Sequence, residues 1–244
     1  GDHRVLHSLG TRRSSDLLYQ MCHKGFSSIS DYFKIEGKDQ SGKPVKGGEI
    51  MVDIDNLIDF MLVIFYTGNF DAPTSSFMFN KRANNFYAID NRTDNSKGFT
   101  FYTHDAEHSM FDEAHYPGIG LYEDRVSIGK WTDNMKMEVS DLTVFHPQWL
   151  HLKLSDNPEY RTRFADRAWK HLSDGGALSP EKSLERINKR INEVDVAVVA
   201  ESARWGDSKR TEAPYTKNNN WIPEVNKIRN NYVPYRTKVL IGQL

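Results

Sequence analysis

The stretch VDIDNLIDFMLVIFYTGNFDAP, residues 52–73, decides the fold that we expect for this chain. Asp53 or Asp55 can cap a helix that runs to about Thr67, and Gly68 supplies its stop. The apolar residues of this helix recur with the helical period, at positions 57, 60, 61, 64 and 65. The helix is apolar on nearly every side, and such a helix is usually buried.

Downstream of this helix, two short runs predict a β-hairpin. They are NFYAI at 85–89 and FTFYT at 99–103, joined by the polar, turn-rich segment DNRTDNSKG. Asn84 and Asn85 begin the first strand, and Asp105 closes the second. Because a hairpin turns the chain back on itself, its outer ends lie close together, so we expect Asn85 and Asp105 to meet. Oxygen ligands delivered from neighbouring backbones are what a hard cation needs.

The end of the second strand is rich in ligand-type side chains. FYTHDAEHSM, residues 101–110, contains His104, Asp105, Glu107 and His108. A solvated turn and a metal or phosphate site are both compatible with this composition. Two histidines four residues apart can bind zinc on a helix, but HDAEH lacks the helical context of the HExxH pattern and places its acid differently.

Composition excludes several classes of protein. The 244 residues suffice for one large domain or two small ones, and a net charge of -1 provides no field that recruits nucleic acid or anionic membranes. The single cysteine, Cys22, rules out an intrachain disulfide and a cysteine-based zinc site. The chain contains no apolar run of about 18 residues, so we expect no transmembrane helix. The sequence does not indicate an oligomeric state.

The remaining segments predict an α+β fold that is mostly helical, with the hairpin near its middle. A short helix at 11–24, a second apolar stretch and a polar loop at 38–48 make up the N-terminal part. Residues 111–148 hold no clear periodic element. The C-terminal third predicts helices that begin after Asp156 or Asn157, at Ser179-Pro180, near Trp221 and near Tyr235. In the second of these, an apolar stripe faces the core, at Leu184, Ile187, Ile191, Val194 and Val198.

These parts follow one another along the chain in the same order as the catalytic parts of protein kinases. There a helix leads to a loop with a catalytic Asp, an Asn follows to hold metal, and a second Asp holds metal on the phosphates. Asp71, three residues after Gly68, Asn85 and Asp105 stand in that order here. Asp and Asn are common in loops, so composition alone makes this mapping weak.

The motifs together resemble the CotH kinase family, the spore-coat CotH-like atypical protein kinases. The resemblance rests on VDIDNLIDFMLVIFYTGNFDAP, NNFYAI and GFTFYTHDAEHS, then on FHPQWLHLKLSDNPEYRTRFADRAWKHLSDGGALSP and AESARWGD. It covers roughly residues 45–244. It implies a protein-kinase-like C-terminal lobe, residues 49–244, that binds ATP with Mg²⁺ and phosphorylates Ser or Thr on a protein substrate.

The resemblance also implies roles for individual residues. Asp71 matches the catalytic-loop Asp, Asn85 a metal-binding and cofactor-binding asparagine, and Asp105 the metal-binding and cofactor-binding Asp. Glu107 is a candidate further metal ligand. Family members are often exported or attached to cell surfaces, so an extracytoplasmic location is compatible with the resemblance, although no signal pattern opens the chain.

The chain departs from the family pattern in three places. His104 stands where many members have Trp or another aromatic residue. The spacing from Asp71 to Asn85 is long, as if SSFMFNKRA were inserted, so Asn80 and Asn84 compete with Asn85. Residues 1–48 show no β-sheet and no convincing lysine for the phosphates, so we expect an N-terminal remnant of a largely absent lobe and poor activity.

Two other functions stay open at this point. A non-catalytic binding or surface-assembly module would keep the same scaffold without phosphate transfer. A metal-dependent hydrolase would use His104, Asp105 and His108, and stoichiometric zinc would favour it.

Overall fold

A computed structural model describes residues 9–80, 82–91, 97–111, 119–128 and 145–244. The described part is mostly helical with one two-stranded antiparallel sheet, in agreement with the predicted α+β class. No helix among the described residues is both long and apolar enough to cross a membrane. Two compact units divide the chain. One takes in the described residues of 1–65, 69–108 and 125–168, and the other those of 66–68, 109–124 and 169–244. The expected division at residue 48 stays a prediction.

The first unit is built around the helix that the opening stretch predicts. The helices that lie wholly or mostly in this unit are α1 (Leu9–Lys24), α2 (Ile29–Ile35), α3 (Ile54–Thr67), α4 (Pro147–Leu154) and α5 (Pro158–Leu172). The Oδ1 atom of Asp53 accepts the Asn56 N–H at 2.9 Å and so caps α3, which selects Asp53 over Asp55. Residues 57, 60, 61, 64 and 65 of α3 are all buried, as the periodic pattern predicts.

The hairpin consists of β1 (Phe86–Asp90) and β2 (Phe99–Thr103). Its register pairs Phe86 with Thr103 and Asp90 with Phe99. The other edge of β2 pairs with residues 51–53, because the Phe99 N–H donates to the Met51 carbonyl at 2.9 Å and the Phe99 carbonyl accepts from Asp53 at 3.0 Å. At Gly98, φ is 68° and a Cβ would lie 2.4 Å from the Met51 carbonyl carbon, so this close approach requires glycine.

The structure adds a helix that the sequence does not predict. Helix α4 begins at Pro147, at the end of a stretch expected to lack periodic structure, and most of its residues are buried. Its N-cap is His146, whose Nδ1 accepts the Trp149 N–H at 3.1 Å. At the start of α5, the Oδ1 atom of Asn157 accepts the Glu159 N–H at 3.0 Å, which selects Asn157 as the cap over Asp156.

The second unit contains α6 (Pro180–Trp205), α7 (Ile222–Lys227) and α8 (Val233–Gln243), with π-helical turns before and after α7. Its most buried charged side chain is Arg236, which donates to the carbonyls of Tyr66 at 2.9 Å, Leu121 at 2.5 Å and Glu123 at 2.8 Å. The predicted apolar stripe of α6 is half-buried along its whole length, so it is less deeply packed than expected.

Candidate active site

Asp71 lies in a buried loop just after α3. Its side chain is 8% exposed, and the neighbouring Asn69 is 1% exposed. The Asn69 Oδ1 atom accepts the Asp71 N–H at 3.0 Å, which closes a tight local turn. The turn fixes the backbone of Asp71, so its carboxylate has a defined direction.

Both carboxylate oxygens of Asp71 accept hydrogen bonds from nearby side chains. The Ser75 hydroxyl donates to Oδ1, and Asn85 Nδ2 donates to Oδ2 at 2.9 Å. Asn84 Nδ2 donates to the Asp71 backbone carbonyl at 3.2 Å. Three side chains therefore converge on the residue that matches the catalytic Asp of the resembled family.

The two outer ends of the hairpin meet, as its topology predicts. Asn85 Nδ2, besides its bond to Asp71, donates to the backbone carbonyl of Asp105 at 3.3 Å. The His104 N–H donates to the Asn85 carbonyl at 3.2 Å, which extends the ladder past the Phe86–Thr103 pair. Asn85 therefore bridges Asp71 and Asp105, while the Asp105 carboxylate itself is exposed.

The competing asparagines have other roles in the structure. The Asn84 side-chain amide reaches the backbone carbonyl of Asp71 rather than its carboxylate. The Asn80 side chain accepts from Arg125 at 3.2 Å. Asn85 is the asparagine that reaches the Asp71 carboxylate. Between these asparagines, Lys81 lies outside the described residues, and the neighbouring Arg82 is exposed.

The other ligand-type residues of 101–110 do not gather around Asp105 as one cluster. The His104 ring lies 4.7 Å from the Tyr87 ring, whereas the His108 ring lies 5.1 Å from that of Phe70. Glu107 is exposed, and its Oε1 atom lies 3.5 Å from His108 Nε2. The two imidazoles thus pack against different aromatic neighbours, which gives the zinc hypothesis no support.

The donor set of Asn85 and Asp105 fits Mg²⁺ better than zinc. Across the described ranges, no three His, Cys, Asp or Glu side chains converge to hold a metal. Magnesium does not require such a cage, because it commonly binds through one or two carboxylates together with phosphate oxygens and water. The exposed carboxylate of Asp105, whose backbone carbonyl accepts from the Asn85 amide, is a hard-oxygen donor of that kind, and Glu107 is two residues away in the chain.

Sequence reasoning missed two residues that shape this site. Ser75 contacts the Asp71 carboxylate, and Arg125 holds the turn that carries Ser75. The spacing of Ser75, four residues after Asp71, was a weak signal for such a contact. No local signal indicates Arg125, because its partners lie 45 to 51 residues earlier in the chain.

Comparison with known proteins confirms the family that the sequence motifs resemble. The family model described as CotH kinase protein matches residues 26–240, nearly the whole chain. No curated protein and no solved structure matches the chain.

Proposed function

The chain belongs to the CotH kinase family, and on that premise we propose that it is an atypical protein kinase that transfers phosphate from ATP, with Mg²⁺, to Ser or Thr hydroxyls of proteins. The kinase-like arrangement of the C-terminal lobe is part of this proposal. The observation that carries it is the bridge that Asn85 makes between the Asp71 carboxylate and the Asp105 carbonyl.

Asp71 is the proposed catalytic residue. A carboxylate at this position accepts a hydrogen bond from the acceptor hydroxyl and orients its oxygen toward the phosphate. Each carboxylate oxygen can accept two hydrogen bonds, so the contacts from Ser75 and Asn85 leave room for the acceptor. Those contacts hold the carboxylate in one orientation, and positioning of this kind is the main contribution of protein groups to phosphoryl transfer.

Asp105 and Asn85 are the residues that would hold Mg²⁺, with Glu107 as a further ligand. When bound, the metal would neutralise charge on the phosphates. The exposure of the Asp105 carboxylate supports this role, because a ligand shared with a nucleotide must be accessible from solvent. The Asn85 amide bonds both Asp105 and Asp71, so one side chain connects the proposed nucleotide side of the site with the proposed acceptor side.

The test is transfer of ³²P from labelled ATP to dephosphorylated casein, a protein rich in Ser, with Mg²⁺ present. We expect Asp71→Asn and Asp105→Asn each to reduce labelling by about 100-fold or more, as loss of a positioned catalytic or metal-binding group does. Asp156→Asn is the matched control, because Asp156 is an exposed aspartate outside the site.

Three outcomes would contradict parts of the proposal. Equal labelling by the wild-type protein and Asp105→Asn would remove the metal role of Asp105. Nucleotide binding without any transfer by the wild-type protein would favour a non-catalytic binding module on the same scaffold. Stoichiometric zinc, with no response to Mg²⁺, would favour the metal-dependent hydrolase.

A further inference from the structure

Arg125 is a fully buried arginine whose guanidinium contacts the loop that follows Asp71. Its exposed fraction is 0%. Nη2 donates to the Thr74 carbonyl at 2.9 Å, and Nη1 donates to the Ser76 hydroxyl at 2.9 Å. Both terminal nitrogens also lie 3.2 Å from Asn80 Oδ1. The guanidinium therefore spans the turn from its first to its last residue.

The turn that Arg125 holds, residues 74–80, has an unusual backbone. Phe79 and Asn80 both have φ of 56°, a left-handed conformation that bulky L-residues rarely adopt. The Asn80 N–H donates to the Ser75 carbonyl at 2.7 Å, and Ser76 N–H donates to the Phe70 carbonyl at 2.8 Å. Strained residues persist when surrounding contacts over-determine them, and here the bonds of the buried guanidinium do so.

The turn is connected directly to the proposed catalytic residue. Ser75 lies between Thr74 and Ser76, both of which Arg125 contacts, and the Ser75 hydroxyl donates to Asp71 Oδ1. A shift of the turn would move this hydroxyl and change the orientation of the Asp71 carboxylate. Arg125 itself contacts neither carboxylate oxygen in the bonds described here.

Arg125 is anchored from the opposite side by α4. Gln148, which is 1% exposed, donates from Nε2 to the Arg125 carbonyl at 2.9 Å. The backbone of Arg125 is thus fixed to the helical core, while its side chain reaches the loop. Burying a charged group is costly, and both terminal nitrogens of this guanidinium find acceptors in the turn, so the guanidinium and the turn constrain each other.

We propose that Arg125 is a positioning residue for phosphate transfer, which sets the turn at 74–80 so that Ser75 orients the Asp71 carboxylate toward the acceptor hydroxyl. This inference rests on the proposed kinase function. Arginine is suited to the task because its planar fork can bond several oxygens at once, whereas a lysine ammonium cannot reproduce that geometry.

The test compares two buried arginines. Arg125→Met removes the turn contacts, and Arg236→Met is the matched control, because Arg236 is also 0% exposed and also bonds backbone carbonyls, in the other unit. Both variants are assayed at a temperature where each is folded. We expect kcat of Arg125→Met to fall about 100-fold with KM for ATP unchanged, since a misplacement of about 1 Å can have that effect. Arg236→Met should keep kcat per folded molecule.

A second variant tests the same contacts without removing the buried arginine, so it is less exposed to loss of folding. Asn80→Ala removes one acceptor of the guanidinium and leaves Arg125 in place, so a smaller fall in kcat, about tenfold, is expected. Arg125→Lys should fail to restore kcat, because the ammonium cannot bond Thr74, Ser76 and Asn80 together. Recovery of full activity by Arg125→Lys would overturn the proposal.

A spectroscopic readout separates this inference from the proposed function. The side-chain amide signals of Asn85 in a ¹H–¹⁵N spectrum report its bond to Asp71 Oδ2. We expect these signals to shift in Arg125→Met and Asn80→Ala and to stay in place in Arg236→Met. Unmoved signals, or moved signals with unchanged kcat, would overturn the positioning role. A wild-type protein that transfers no phosphate would overturn the kinase proposal instead, and the Asn85 signals would still decide whether Arg125 orients this site.

Discussion

Asn85 and Asp105 both lie in the left-handed region of backbone conformation, with φ of 52° and 47°. Asn and Asp tolerate this region better than most side chains, because their short polar groups bond locally. The positive φ of Asn85 accompanies an amide nitrogen that bonds both Asp71 Oδ2 and the Asp105 carbonyl. Backbone outliers that coincide with such convergent contacts are typical of functional sites.

Replacement of Asn85 by glycine separates the backbone requirement from the side-chain requirement. Glycine adopts positive φ without penalty, and this gain offsets part of the roughly 1 kcal/mol that each lost hydrogen bond contributes. We expect Asn85→Gly to lower the free energy of unfolding by about 1 kcal/mol and to reduce phosphate transfer about 100-fold. Urea denaturation and the ³²P assay measure the two effects. Phosphate transfer by Asn85→Gly at the wild-type rate would contradict the bridging role. Asn84→Ala is the comparison variant, and we expect it to lose less activity than Asn85→Gly because Asn84 bonds the Asp71 backbone.

At the scale of elements, one asparagine of α3 helps to hold the hairpin in place, beside the parallel pairing of β2 with residues 51–53. Asn56 Oδ1 accepts the Phe101 N–H at 2.5 Å, and its Nδ2 donates to the Phe101 carbonyl at 3.2 Å. A side-chain amide here substitutes for a strand partner in the middle of β2. Since β2 leads directly to Asp105, this pairing determines where the proposed metal ligand lies relative to the core.

We expect Asn56→Ala to lower the free energy of unfolding by about 2 kcal/mol, because it leaves two polar backbone groups of β2 without this partner. Asn192→Ala is the matched control, since Asn192 is exposed on α6 and alanine has the higher helix propensity. Urea midpoints of the two variants provide the measurement. Equal midpoints for Asn56→Ala and the wild-type protein would show that the parallel pairing with residues 51–53 suffices to hold β2.

The sequence could predict the elements that carry a regular period and could not predict those held by distant polar contacts. Helix α3 and the hairpin have clear periodic patterns, and hairpin topology alone predicts the meeting of Asn85 and Asp105. Helix α4 was missed because His146, Gln148 and His151, at its cap and within it, are buried polar residues that interrupt the apolar period. The bond from Asn56 to Phe101 spans 45 positions, and a single sequence contains no signal for it.

At the scale of the whole molecule, the buried histidines at the cap and in the body of α4 link stability to pH. Burial lowers the pKa of His146 to about 3 and that of His151 to about 4, because the apolar surroundings disfavour the imidazolium. His146 caps α4 as a neutral acceptor, and His151 Nδ1 lies 2.7 Å from the Tyr160 hydroxyl. Each ring is therefore neutral in the folded protein throughout the mildly acidic range.

This linkage predicts acid destabilisation below the ordinary histidine pKa of about 6.5. Below pH 6.5 the unfolded chain protonates these two histidines while the folded protein does not. Their contribution to the free energy of unfolding is therefore fully present above pH 6.5 and is lost as the pH falls toward the lowered pKa values. Between pH 6.5 and pH 5 each histidine should contribute a loss on the order of 2 kcal/mol. His146→Asn keeps a capping oxygen without a titrating ring, so its urea midpoint should match the wild-type value near pH 7.5 and fall less steeply on acidification. Parallel curves for the two proteins from pH 7.5 to pH 5 would show that His146 is not held neutral by the fold.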